Sequence, residues 1–211
     1  KAEVKNLSVS GTICTSGDYV GGIVGMNNNG AVSNCTSVGS ISGNNVGGVV
    51  GKNYGSVSSC AADCSVSGTD SVGGIAGVNT VNGTVNSCTS TGSVSGKKWI
   101  GGVVGQNYRG NVNNCTSSCS ATGSKEYTGG VVGQNNGGVV SSCVSTGSVG
   151  GNEQVGGVVG KNSFSGSVSS CISIGSVSGN ISVGGIVGEN DNNNSVVSNC
   201  GWLWPEYIGE G

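Results

Sequence analysis

The stretch "VGGIVGMNNNGAVSNC" at residues 20–35 decides how the chain must be read. It carries four Gly, no charge, and a Cys where a short extended run would end. Its opening hexad returns as "VGGVVG" at 46–51, "VGGIAG" at 72–77, "IGGVVG" at 100–105, "TGGVVG" at 128–133, "VGGVVG" at 155–160 and "VGGIVG" at 183–188. The spacings are 26, 26, 28, 28, 27 and 28 residues. Self-similarity at this period marks a repeat array of solenoid, propeller or helical type. Gly and Ser at this density oppose helix formation. Propeller blades need periods of about 40 residues or more. A parallel β-solenoid remains.

Each period divides into three extended runs: the Gly-rich hexad, a run such as "GSVSSC" at 55–60, and a run such as "GSISG" at 39–43. The last two alternate apolar and polar residues, the signature of half-buried strands. The expected fold is therefore all-β: about eight coils of 26–28 residues with three short strands per coil, the opening "LSVSGT" at 7–12 being the tail of an earlier coil. At the usual strand spacing the rod would be about 35–40 Å long. Two inward columns are predicted, one of Val32, Val57, Val85, Val112, Val140, Val168 and Val197, the other of Ile41, Val66, Val94, Ala121, Val149 and Val177. Both parities of the hexad are apolar, so it either bends or leaves an aliphatic stripe outside. The abundant Gly is expected to supply, with Asn, the positive-φ corners that recur in every coil.

Composition excludes several classes of function. The 211 residues hold 44 Gly, 1 Pro, 1 Met and no His, with 9% charged residues and a formal net charge of −2. No basic patch is available to neutralise phosphates, which speaks against nucleic acid. No run of 18 apolar residues appears, so no membrane span is expected within this chain. The start at Lys1 implies that any secretion signal has been removed or lies elsewhere.

The repeat "G-x-V-x-N/S-C … G-S-V-S-G … V-G-G-I/V-V-G-x-N", over about residues 4–200, resembles the GLUG motif. That family forms arrays on bacterial surface proteins, including adhesin-like proteins and non-catalytic parts of immunoglobulin A1-cleaving metallopeptidases. The resemblance implies an extracellular protein, secreted or attached to the bacterial cell surface. It carries over no catalytic residue, because metallopeptidase chemistry needs a His-Glu-x-x-His helix and the chain has no His.

Two columns invite a chemical reading. Asn27, Asn53, Asn79, Asn107, Asn135, Asn162 and Asn190 each follow the hexad by two residues. Stacked amides of this kind can form a ladder in which each donates to its neighbour's carbonyl. Binding of a ligand would instead require them to face solvent. Cys35, Cys60, Cys88, Cys115, Cys143, Cys171 and Cys200 occupy one position per coil, three residues after an inward Val. Cys is a small residue often found buried, and in-register thiols point the same way, so this column is expected to be mostly free thiols. Cys14, Cys64 and Cys119 lie off the column, and local disulfides Cys60–Cys64 and Cys115–Cys119 remain open. No metal or other cofactor is expected, for want of His and of convergent ligands.

The rows Ser40/Ser42, Ser65/Ser67, Ser93/Ser95, Ser120/Thr122 and Ser176/Ser178 read as a soluble outward face. An ice-binding or surface-adsorbing role is the alternative, weakened because such faces favour Thr. The aromatic residues form two groups. Tyr19, Trp99 and Tyr127 immediately precede a hexad, and Tyr54, Tyr108 and Phe164 sit beside the Asn column. Exposed rings suit stacking on a host glycan or anchoring a protein ligand. A carbohydrate-active enzyme is the third reading, but it needs convergent carboxylates. Only Glu126 and Glu153 share a corner in adjacent coils. The expected function is thus a non-catalytic rigid stalk or adhesion module, with residues 1–200 as solenoid joined to neighbouring domains of a longer protein. Residues 201–211, "GWLWPEYIGEG", are expected to be a cap or the start of a linker.

Overall fold

The computed structural model describes residues 2–203, and among these every regular element is a β-strand. The chain winds as a parallel β-solenoid with three faces. The first face has eight strands, from Glu3–Lys5 through Ser56–Ser58 to Val196–Ser198. The third has seven, from Val24–Asn27 to Val187–Asn190. The second is a 16-stranded sheet that runs around a corner. There the N-terminal strands Ser8–Gly21 and Thr36–Gly47 are unbroken, whereas later coils split into pairs such as Ala61–Gly68 and Asp70–Gly73. Counted from Glu3, the described residues make seven turns over all three faces and the start of an eighth, in line with the expected count.

Register is constant from coil to coil: Val85 pairs with Val57 on one side and Val112 on the other. This stacks like residue on like and creates the two apolar columns. Val32, Val57, Val85, Val112, Val140 and Val168 are all buried, as are Ile41, Val66, Val94, Ala121 and Val149. The last coil departs from the expectation. Val197 is 38% exposed and Val177 half-buried, because no described coil covers them.

The hexad is not one strand. Its first Val-Gly closes a strand of the second face, the chain bends at the Gly pair, and its last Val-Gly opens a strand of the third. The bend turns both parities inward, so Val46, Val49 and Val50 are all buried. The Gly pair is there for close approach rather than for positive φ. A Cβ on Gly102 would collide with the Gly130 carbonyl of the next coil and with the Ser117 hydroxyl. The left-handed corners are held mainly by other residues. Asn34, Ser59, Ser87, Asn114, Ser142, Ser170 and Asn199, each just before the Cys, have φ of 51–54°. Tyr19, Asn45, Ser71, Trp99, Tyr127, Gln154 and Ser182, each just before the hexad, have φ of 43–60°. Asn tolerates this region well, whereas Tyr and Trp enter it only when surrounding structure dictates it.

Coil length varies at only two corners. The step from the Val46 column to the Asn53 column is seven residues in every coil, from the Val57 column to Cys60 three, and from Cys60 to Val66 six. The step from Asn to Val ranges from four (Asn53 to Val57) to seven (Asn190 to Val197), and that from Ile41 to Val46 and its equivalents from five to seven. The first of these corners joins the third face to the first, and the second lies within the second sheet, where its later strands split. At the C-terminal end the Trp202 ring lies against Gly185. Beyond Leu203 the expected cap or linker, including Trp204 and Pro205, lies outside the described residues.

Candidate binding surface

The Asn side chains form a continuous ladder. Nδ2 of each donates to Oδ1 of the next, at 2.8 Å for Asn27–Asn53 and Asn53–Asn79, 2.9 Å for Asn79–Asn107, and 2.8 Å for Asn107–Asn135, Asn135–Asn162 and Asn162–Asn190. The same amides hold the corner backbone, as when Asn107 Nδ2 reaches the Gly110 carbonyl at 3.0 Å. Asn53 to Asn162 are fully enclosed, so this column offers no surface to a ligand.

All ten cysteines are free thiols. Cys35 to Cys171 of the column are buried and Cys200 is half-buried. The pattern is uniform: Cys115 Sγ donates to the Asn113 carbonyl at 3.1 Å and to the Val85 carbonyl of the preceding coil at 3.7 Å. Hydrogen bonding to the neighbouring thiol, with burial, pushes Cys88 and Cys115 up to about 12. Cys143 also rises to about 12, although its largest single influence, the Cys115 thiol, acts downward. Cys64 and Cys119 are buried too, raised mainly by desolvation. They form no bridge to Cys60 or Cys115. Cys14 is exposed, in register with Ser42 at the edge of the hydroxyl face.

That face is the outer side of the second sheet. Ser93 Oγ donates to Ser65 Oγ at 3.3 Å, Ser120 and Ser148 hydroxyls lie 3.2 Å apart, and Thr146 Oγ1 donates to Ser118 Oγ at 2.9 Å. Some hydroxyls thus bond to their neighbours along the rows. A second serine column, absent from the sequence reading, points inward: Ser37, Ser90, Ser117, Ser145 and Ser173 are buried. Ser90 donates to the Gly102 carbonyl. The column shares the parity of Ile41, and that alternation was the available signal.

The aromatic side chains divide differently from the sequence grouping. Lys52 Nζ lies 4.6 Å over the Tyr19 ring and 5.1 Å over the Tyr54 ring, joining members of the two predicted groups. Trp99 and Tyr127 are neighbours in one row, and Lys161 Nζ sits 5.5 Å over Tyr127 while pairing with Glu189 at 2.8 Å. Phe164 is not with Tyr54 and Tyr108. It stands 60% exposed in a later coil. Tyr54 and Tyr108 do share a site, a groove of about 320 Å³ on the third face. Thr80 occupies the coil between the two tyrosines, Val78 pairs in register with Lys52 and Gln106, and Val81 completes the lining. Thr80 Oγ1 is tied to the Asn53 carbonyl at 3.0 Å, which leaves its methyl as floor. Arg109 stacks on Tyr108 at 5.5 Å.

Among the described residues the acidic side chains do not converge. Glu126 and Glu153 are register partners, and Lys98 neutralises Glu126 at 3.4 Å. Among the described residues no group of three or more Cys, Asp or Glu is placed to hold a metal ion, and no helix is long and apolar enough to cross a membrane.

No protein-family model matches the chain, and no curated protein matches it. Among solved structures, the chain is similar to a crystal structure from Bacteroides ovatus whose assignment as an immunoglobulin A1 protease is provisional. The TM-score is 0.56 at 20% identity, over 83% of this chain and 58% of the other. The likeness is one of fold, and this chain spans little more than half of that structure.

Proposed function

We propose that this chain is a non-catalytic, rigid β-solenoid segment, a stalk or adhesion module, of a secreted or surface-attached bacterial protein. The observation that carries the reading is the in-register stack itself: seven turns share two apolar columns and one unbroken amide ladder. Each turn is locked to its neighbours along the whole length, which is what a spacer needs and a mobile catalytic site does not. The GLUG-like repeat supports a bacterial surface placement, and the likeness to the Bacteroides ovatus structure supports the solenoid fold. Hydroxyls that bond to each other along the rows are poorly disposed to order water, which counts against ice binding. Carboxylates that are scattered or ion-paired count against a carbohydrate-active enzyme.

Two measurements test this. Protease shaving of intact cells should release peptides of this chain, and incubation with immunoglobulin A1 should leave the immunoglobulin intact. Recovery of the chain only from the cell interior, or cleavage of the immunoglobulin by the purified chain, would overturn the proposal.

A further inference from the structure

The groove on the third face has features that packing does not require. Outward positions of a solenoid face are free to be small and polar, as they are on the hydroxyl face. Here Tyr54 and Tyr108 instead flank Thr80, and Val81, 42% exposed, adds apolar surface at the edge. Tyr54 and Tyr108 directly follow ladder residues Asn53 and Asn107, which are two coils apart. At the usual strand spacing that separation is about 9.6 Å. Taken from these backbone positions, a ring placed midway would lie about 4.8 Å from each, beyond the roughly 3.5–4.0 Å at which carbon atoms attract best, which leaves room for its axial hydrogens to make the contact. One saturated six-membered ring fits this gap, its C–H faces against the two aromatic rings, and the volume of about 320 Å³ accepts it with its substituents.

Both walls are held. Lys52 lies over Tyr54 and hydrogen-bonds Tyr19 Oη at 3.4 Å, while Arg109 lies over Tyr108. Holding the rings in place before binding lowers the ordering cost of capture. The charge is one-sided: Lys52 is the only ionised residue lining the groove, and no Asp or Glu lines it. Gln106 is spoken for in part, since its Nε2 donates to Gln134 Oε1 at 2.9 Å, which leaves its own carbonyl oxygen to accept a hydroxyl.

We propose that the groove between Tyr54 and Tyr108 binds a pyranose ring bearing a carboxylate, stacked between the two tyrosines with its acid group directed at Lys52. The assignment deepens the adhesion reading of the preceding subsection and rests on it, but the two fail separately. Shaving and fractionation bear on where the chain sits, whereas the groove is tested on purified protein.

The probes are trigalacturonate and its neutral counterpart, galactotriose, titrated by calorimetry and by saturation-transfer NMR. Trigalacturonate should bind with a Kd of about 0.1–1 mM, a normal strength for one small site, with transfer to the ring C–H protons. Tyr54→Ala and Tyr108→Ala should each weaken it about fivefold to tenfold, the scale of one aromatic stack. Lys52→Gln should remove the preference for the acidic probe, and Phe164→Ala should change nothing. Each variant should keep the parent melting point, since its side chain lies outside the core, and a variant that does not is replaced by Tyr→Leu. Equal binding of both probes by the parent, unaltered binding by the tyrosine variants, or no binding of either probe would overturn the proposal. Binding abolished equally by Phe164→Ala would do the same.

Discussion

Replacing Asn107 with Ala interrupts the amide ladder at its centre. Asn107 Nδ2 donates to Asn135 Oδ1 at 2.8 Å and to the Gly110 carbonyl at 3.0 Å, and its Oδ1 accepts from Asn79 Nδ2 at 2.9 Å. Asn79 keeps the Gly83 and Asn111 carbonyls as acceptors, and the Gly110 carbonyl keeps the Val139 amide. The deficit falls on Asn135 Oδ1, which is buried and loses its ladder donor. Three lost bonds at about 1 kcal/mol each, with about 1–3 kcal/mol for a stranded buried acceptor, amount to about 4–6 kcal/mol. Asn190→Ala removes the exposed end of the same ladder and should cost about 1 kcal/mol. Asn107→Asp preserves shape but turns a donor into a second acceptor facing Asn135. Its buried carboxyl would have a raised folded pKa, so its deficit should shrink as pH falls through that value and be smallest below about 3, where the neutral form dominates in both states. Urea unfolding followed by circular dichroism reads all three, with calorimetry alongside because repeat arrays can unfold in stages. Equal midpoint shifts for Asn107→Ala and Asn190→Ala would refute the claim that the buried ladder is a major source of rigidity.

Three further outcomes follow from the geometry. Thiol titration of the native protein at pH 8 should find Cys14 fast and the buried column silent, with all ten thiols free after denaturation without reductant; fewer than ten would mean that disulfides form. Folded-state values near 12 for Cys88, Cys115 and Cys143, against an ordinary 9.0, mean that their protonated forms are favoured by folding. Their contribution is complete below pH 9 and is lost as pH rises toward 12, so the unfolding midpoint should fall over that window and fall less in Cys115→Ala. A flat profile would count against the burial of the thiols. Val112→Asp should destabilise by several kcal/mol through burial of a charge, whereas Val197→Asp, at a 38% exposed site, should cost about 1 kcal/mol or less; similar melting points for the two would show that the column is not a core. Gly102→Ala should cost several kcal/mol, because its Cβ meets backbone of the next coil, and Ser117→Ala should not rescue it, since the Gly130 carbonyl stays in place.

The columns were legible because a fixed period pins register. Once the hexads align, Val57, Cys60, Val66 and Asn53 acquire equivalents in every coil, and alternation assigns Val57 and Val66 to the inside. The hexad itself was opaque: Val46, Val49 and Val50 are apolar in both parities, and alternation cannot reveal a bend that turns all of them inward. The Gly pair misled in a related way. Gly signals either positive φ or close approach, and only the neighbouring coil decides between them. Ser37 and its equivalents were hidden because a hydroxyl reads as outward even where parity with Ile41 says otherwise. The groove was the least legible feature. Their place beside the Asn column suggests that Tyr54 and Tyr108 are exposed, but their pairing depends on the small Thr80 between them, and Lys52 meets Tyr19 only through the stacking of adjacent coils. Phe164 shares their neighbourhood in the repeat but not their place on the rod.

The confinement of length variation to two corners has an evolutionary side. Everywhere else an added residue would flip a strand's faces and throw its column out of step, so selection can act there only by substitution. At the Asn-to-Val corner and at the corner before the hexad, insertions leave every column in register. Tyr54, Tyr108 and Phe164 stand at the first, and Tyr19, Trp99 and Tyr127 at the second. The strip between them is thus the part of the rod where new recognition can be gained, lost or duplicated one coil at a time, while the scaffold beneath stays unchanged. Grafted loops should be accepted at these corners and rejected between Val57 and Val66.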